Sequence, residues 1–271
     1  MPWTSAHLSW LKKTKDKLKT SDGKPINVYE FSYQEDDAVL TAWAKHFRNH
    51  YCLDNEIDFY REGYNYSRSE YLHNIKFPDT SIAPGPSIRA GDFAEILVAD
   101  YLQYVLSYWV PRCRYDSKTV RNESTKGCDI IGFKFYDDKE TKKDTLAIFE
   151  AKAQFSGKTC APRLQDAVND SIKDQIRKAE SLNAVKQRLF ESNQKADSFK
   201  INRFQNPDDK PYLEVSGAAA LFTSNLIDNT SLAATDTSAH PNSKNVSLVV
   251  IHGEELMDLV HKLYKRAADE A

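Results

Sequence analysis

Apolar residues recur at three- and four-residue steps in several stretches of the chain, the spacing that gathers them on one face of a helix. In residues 38–51 they are Leu40, Trp43, Ala44 and Phe47. In residues 92–108 they are Val98, Leu102 and Val105, continued by Trp109. The longest stretch, residues 164–190, carries Leu164, Val168, Ile172, Ala179, Leu182, Val185 and Leu189, with Gln175 as the one strongly polar member of the stripe. Residues 254–268 read as a closing helix. Between these lie β-rich runs at 28–33, 113–120, 129–136, 145–153, 215–223 and 246–252, which predict strands. The charged segment 137–144 joins two of them as a solvent-facing hairpin loop, and the polar stretch 224–245 is a candidate for disorder. Helices alternating with strands predict an α/β fold.

Residues 77–87 hold three of the ten prolines. Each proline biases its predecessor away from helix, so an extended connector is expected here. It divides the chain into an N-terminal α+β extension, residues 1–87, and a second part, residues 88–271, that carries the chemistry. The extension offers one feature of chemical interest, His46 and His50, spaced to share a helix face. No Glu or third ligand lies nearby in sequence, so solvated or core-edge histidines are the expectation rather than a metal site. Its aromatic residues Trp43, Phe47 and Tyr51 span more than one helix face, which makes the extension a candidate docking surface for a partner. The simpler alternative is that they pack on the second part.

With 41% apolar and 11% aromatic residues, the 271-residue chain is expected to bury a core and fold alone. The start, Met1-Pro2-Trp3-Thr4-Ser5, leads into lysines instead of an apolar signal core, and no run of eighteen apolar residues occurs. A cytoplasmic location without a membrane span is therefore expected. Cys52, Cys113, Cys128 and Cys160 lack paired metal-ligand spacing, which argues for reduced thiols. The net charge of -2 excludes a long-range grip on nucleic acid by bulk charge. Any such grip must come from local basic residues or from a partner. Lys12, Lys13, Lys15, Lys17 and Lys19 form one local cluster, read most simply as a solvated helix face.

Candidate chemistry sits on the strands. In residues 145–154 the side chains of Glu150 and Lys152 project from one face, with Leu146 and Ile148, while Ala147, Phe149 and Ala151 project from the other. A carboxylate and an ammonium at the end of so apolar a strand either form a simple ion pair at the solvent boundary or serve a site. Asp129 opens the preceding strand after Gly127, on the face of Ile131 and Phe133. Alone it is a routine turn residue; across a hairpin it approaches Glu150, and two converging carboxylates call for a cation such as Mg²⁺. Asp92 and Glu95 have capping-box spacing, yet Glu95 also extends the stripe of Val98 and Leu102, so both a capping and an inward-facing role stay open. Gln175 needs hydrogen-bond partners if buried, and Lys173, Arg177 and Lys178 around it are candidates for phosphate contact.

The ordered set Glu95, Asp129, Glu150-Ala151-Lys152 and Gln175 resembles the PD-(D/E)xK nuclease superfamily over roughly residues 90–255, with Cys128 where the pattern has Pro. The resemblance implies a restriction-endonuclease-like αβββαβ core. It implies Mg²⁺ or Mn²⁺ held by Asp129, Glu150 and the Ala151 carbonyl, with Glu95 in support, Lys152 activating water, and Gln175 positioning substrate or Lys152. The segments Trp43-Ala-Lys-His-Phe-Arg48-Asn-His-Tyr51 and Ile88-Arg-Ala-Gly-Asp-Phe-Ala-Glu95 also resemble the HamA family, nuclease subunits of the Hachiman anti-phage system. That likeness implies DNA as substrate and a helicase partner, HamB. Two further readings compete: a catalytically silent nucleic-acid-binding or scaffolding module of nuclease fold, and a stand-alone restriction-type endonuclease, which would need a base-reading surface not recognisable here.

Overall fold

The computed structural model describes residues 2–137 and 139–271. Six strands, β1 (Leu11–Lys13), β2 (Ile26–Phe31), β3 (Ile130–Lys134), β4 (Thr145–Gln154), β5 (Leu213–Thr223) and β6 (Val246–Gly253), form one mixed sheet in the order β1-β2-β6-β5-β4-β3. The inner pairs β2–β6, β6–β5 and β5–β4 are parallel, and both edge pairs are antiparallel. The helices are α1 (Asp37–Asn49), α2 (Ile57–Arg61), α3 (Arg68–Tyr71), α4 (Gly85–Asp100), α5 (Arg163–Glu191), α6 (Lys195–Lys200), α7 (Asn229–Ala233) and α8 (Leu256–Asp269). Among the described residues no helix is long and apolar enough to cross a membrane.

Strand alternation decides which layer each β4 residue enters. Ala147, Phe149 and Ala151 join the large core formed with α1, α4 and α8. Leu146 and Ile148 join Ile131 and Phe133 of β3 and Leu182 and Leu189 of α5 on the other face. Further along, Leu164, Ala167 and Val168 of α5 pack on Ala218, Ala220, Leu248 and Val250. Gly217 has no side chain because Phe149 of the neighbouring strand fills the space a Cβ would need. The sheet is thus covered on both faces, as its near-continuous apolar strands require.

Several elements differ from expectation for identifiable reasons. Residues before and after position 87 share one sheet, through β2–β6, and one core, in which Trp10, Phe31 and Trp43 meet Phe93, Phe149 and Leu259. Trp43, Phe47 and Tyr51 are buried there, so they are packing residues and not a docking surface. Part of the lysine run is strand, not helix: β1 pairs with β2, and Lys13 bonds the Asn27 amide oxygen at 2.8 Å. α4 begins at Gly85, inside the expected connector, because Pro86 in its first turn has no needed N–H to lose. Asp92 consequently lies inside α4 and does not cap it, which removes the capping-box reading of Glu95. Asp92 is buried and accepts from Tyr51 OH at 2.7 Å and Lys118 Nζ at 2.8 Å. Residues 113–120 form no strand; among the described residues, the chain leading into this segment pairs with β3 only at the Trp109–Phe133 bridge. The stretch 224–245 is ordered around α7, with Thr237 buried and donating to Asp22 at 2.6 Å.

Candidate active site

Gly127 takes φ +100°, a left-handed conformation open to glycine, and turns the chain into β3. The register there pairs Ile130 with Phe149, so the next residues outward, Asp129 and Glu150, stand opposite each other at the strand ends. Asp129 Oδ2 accepts the Ala151 backbone N–H at 3.2 Å. A strand residue points its N–H and C=O to the same side, so the Ala151 carbonyl faces this same edge, where β3 has ended. Lys152 Nζ donates to Glu150 Oε1 at 2.7 Å and pairs with Asp170 Oδ2 of α5 at 2.8 Å.

Glu95 arrives from α4, on the opposite side of the sheet, and is tied in by Arg114. The guanidinium donates from Nε to Glu95 Oε2 and from Nη2 to Asp129 Oδ1, both at 2.8 Å. Its remaining bonds go to the Thr125 and Cys128 carbonyls, and the Tyr115 hydroxyl also donates to Glu95. This explains the missing strand at 113–120. The turn carbonyls that a backbone partner would satisfy are taken by one side chain. Glu95, Asp129, Glu150, Ala151, Lys152 and Asp170 all line one cleft of about 1330 Å³, together with the basic residues Lys126, Arg163, Lys173 and Arg177.

Burial pushes the Glu150 carboxyl up to about 8, with Asp129 adding to the rise and Lys152 opposing it. Burial likewise pushes Glu95 to about 8, against Arg114 and with Asp129. Lys152 would be lowered by burial, but Asp170 and Glu150 outweigh it and hold the ammonium charged. Resident cations therefore do not discharge this group of acids. Carboxylates plus a strand-end carbonyl are the oxygen donors a hard divalent ion prefers, so Asp129, Glu150 and Ala151, with Glu95 beside them, fit Mg²⁺ or Mn²⁺.

The structure does not bring Gln175 to this cleft. Its amide donates to Glu214 Oε1 at 2.7 Å and Ser216 Oγ at 3.2 Å, on the β5 side of α5, and Lys178 pairs there with Glu214 at 2.6 Å. The face of α5 toward the site runs instead through Asp170, Arg177 and Ser181, whose hydroxyl accepts the Cys128 N–H at 3.1 Å. These residues step by seven and four, as one helix face must. Of these, Arg177 stood among the candidates for phosphate contact, while Asp170 and Ser181 carried no sequence signal. Arg114 and Tyr115 carried no sequence signal, lying in a segment expected to be strand.

A second cluster forms where His46 and His50 meet buried Asp100, with ligand atoms of all three within 4.8 Å of one another. Its hydrogen bonds oppose metal binding. The Thr4 N–H points at His46 Nδ1 at 3.1 Å, so that nitrogen accepts and Nε2 carries the proton toward Asp100 Oδ1, 3.1 Å away. Arg112 and His7 also reach Asp100, at 2.8 and 3.0 Å. Burial alone would raise the Asp100 pKa, but His46 and Arg112 outweigh it and hold the carboxyl ionised. This is a self-contained buried charge network.

No curated protein matches the chain. The model of the HamA family matches residues 5–267, nearly the whole length, spanning every element that builds the cleft. The chain therefore belongs to the HamA family, a membership that fits a role in anti-phage defence.

Proposed function

We propose that the chain is a metal-dependent nuclease that hydrolyses phosphodiester bonds of DNA, on a core of the PD-(D/E)xK kind, as the effector of an anti-phage complex gated by a helicase partner. The observation that carries this reading is the convergence of Asp129, Glu150 and Lys152 at the open end of β3 and β4, inside a cleft rimmed by basic residues. Asp129, Glu150 and the Ala151 carbonyl would hold Mg²⁺ or Mn²⁺, with Glu95 in support directly or through water. The bound cation supplies Lewis-acid stabilisation of charge on the phosphoryl oxygens and favours a deprotonated nucleophile. Lys152, held charged by Asp170 and Glu150, orients the attacking water and offsets charge developing on the phosphate. Arg114 fixes Glu95 and Asp129 in place. Lys126, Arg163, Lys173 and Arg177, which line the cleft, would meet flanking phosphates, contacts that grip the backbone without reading sequence.

A chain at net -2 has little long-range attraction for a polyanion, which favours delivery or release of the substrate by a partner. The test is plasmid cleavage in Mg²⁺ and in EDTA, by the chain alone and with any co-encoded helicase. Cation-dependent cutting, slow for the chain alone, is expected. Rapid degradation at nanomolar protein without a partner removes the gating. Absence of cutting in every condition leaves the catalytically silent module, a reading disfavoured because Asp129, Glu150 and Lys152 are all intact.

A further inference from the structure

Glu150 has two claims on its carboxylate. Its Oε1 accepts from Lys152 Nζ at 2.7 Å, and the metal-dependent reading above also makes it a cation ligand. An ammonium and a divalent ion repel each other, so the two compete for the same oxygens. The fold supplies Lys152 with a second anchor. Its Nζ pairs with Asp170 Oδ2 at 2.8 Å, so one ammonium stands between an acid of β4 and an acid of α5. Asp170 lines the same cleft, and its other oxygen meets Lys173 Nζ at 2.5 Å.

Packing and stability give little reason for an acid at this position. Asp170 lies beyond the first turn of α5, where the helix dipole no longer favours a carboxylate. The Lys152 and Asp170 side chains are 26% and 31% exposed, and ion pairs so open to water add little to stability. In a cleft meant for a polyanion, an acid also works against binding. We infer that Asp170 is the positioning residue for Lys152: when a cation occupies Glu150, Asp170 draws the ammonium off that ligand and holds it in the cleft for the reacting phosphate. The inference rests on the metal-dependent reading and adds to it a residue that touches neither cation nor substrate. Loss of Asp170 then has two effects of opposite sign. The missing acid favours DNA binding, while the misplaced ammonium slows the chemistry, a misplacement of about 1 Å being able to cost about 100-fold.

Asp170→Asn keeps the shape and removes the charge. The full-length chain, Asp170→Asn, Lys152→Ala and the double variant are melted in EDTA, titrated with Mn²⁺ by calorimetry and assayed for plasmid cleavage, with any co-encoded helicase present. Asp170→Asn is expected to melt close to the parent. It should bind Mn²⁺ about fivefold more weakly, the scale of one half-exposed ion pair, because Lys152 then competes for Glu150. Its kcat should fall about tenfold to a hundredfold with KM no higher than the parent's. In the Lys152→Ala background the same substitution should change neither reading, and Asp170→Glu, which keeps the charge, should recover part of both. Equal losses with and without Lys152 identify a general effect of charge and overturn the inference. So does an asparagine variant that melts far below the parent in EDTA, which marks a structural acid. If the parent neither binds Mn²⁺ nor cuts, the metal-dependent reading fails, and the inference with it; a parent that binds and cuts beside an indifferent Asp170→Asn sinks the inference alone.

Discussion

The carboxylate of Asp129 accepts the backbone N–H of Ala151 at 3.2 Å, locking the turn that opens β3 onto the end of β4. The bond sets the acid against the strand that carries Glu150 and Lys152, and it turns Asp129 Oδ1 toward Arg114. One side chain therefore joins a backbone edge, a cation and a second acid from the opposite layer.

Arg114 is the first consequence. Its guanidinium is largely buried and is the fixed positive charge between Glu95 and Asp129. Removing one partner of a buried ionic group typically costs about 3–5 kcal/mol, since the remaining charges lose both hydration and partner. Arg114→Gln is expected to melt well below the parent in EDTA and to recover more than the parent does on adding Mn²⁺, because the cation then supplies the missing charge. Thermal melts in both conditions check this. Equal recovery in the two proteins contradicts a cation site at these acids.

Glu150→Gln and Lys152→Ala should separate binding from chemistry. Glu150→Gln keeps the strand packing but weakens a cation ligand, so Mn²⁺ affinity and cleavage both fall. Lys152→Ala retains the carboxylates, so Mn²⁺ still binds while cleavage drops about 100-fold or more, the scale of losing one preorganised stabiliser of transition-state charge. Glu95→Gln is milder than either if Glu95 acts through water. Calorimetry paired with plasmid cleavage measures the split. Full activity in Glu150→Gln or Lys152→Ala places the site elsewhere.

The raised carboxyls of Glu150 and Glu95 give a pH dependence with a definite sign. Each is pushed by burial from 4.5 to about 8 in the folded chain, so between those values the folded state holds protons that the unfolded state has released. Stability in EDTA therefore falls as pH rises from about 5 to 8. Glu150→Gln removes one of the two contributions and should show a shallower decline, and Mn²⁺ should flatten the parent's profile. Melts across this range in EDTA and in Mn²⁺ test it. A profile for Glu150→Gln that runs parallel to the parent's contradicts the assignment.

The legible part of this protein was what local periodicity encodes. Period-two alternation in residues 145–154 was enough to put Glu150 and Lys152 on one face, and the structure has them there, bonded at 2.7 Å. The hairpin that sets Asp129 against Glu150, the long helix, and the β-rich runs near 215 and 246 follow from the same alternation and from turn residues. Rotation of a helix about its axis is not encoded so sharply. One residue is about 100° of α-helix, so only packing on the sheet decided that Asp170 and Arg177 line the cleft while Gln175 turns to Glu214 of β5. The Arg114 segment has no period at all; its course is set by acceptors on α4 and in the Thr125–Asp129 turn. Likewise His46 and His50 found Asp100, Arg112 and His7, partners 39 or more residues away, through long-range burial. Sequence by itself determined most of the strands and the side chains at the ends of β3 and β4. The charges that surround those ends were decided by tertiary structure, because a buried ion takes whatever partner the packed chain brings within reach.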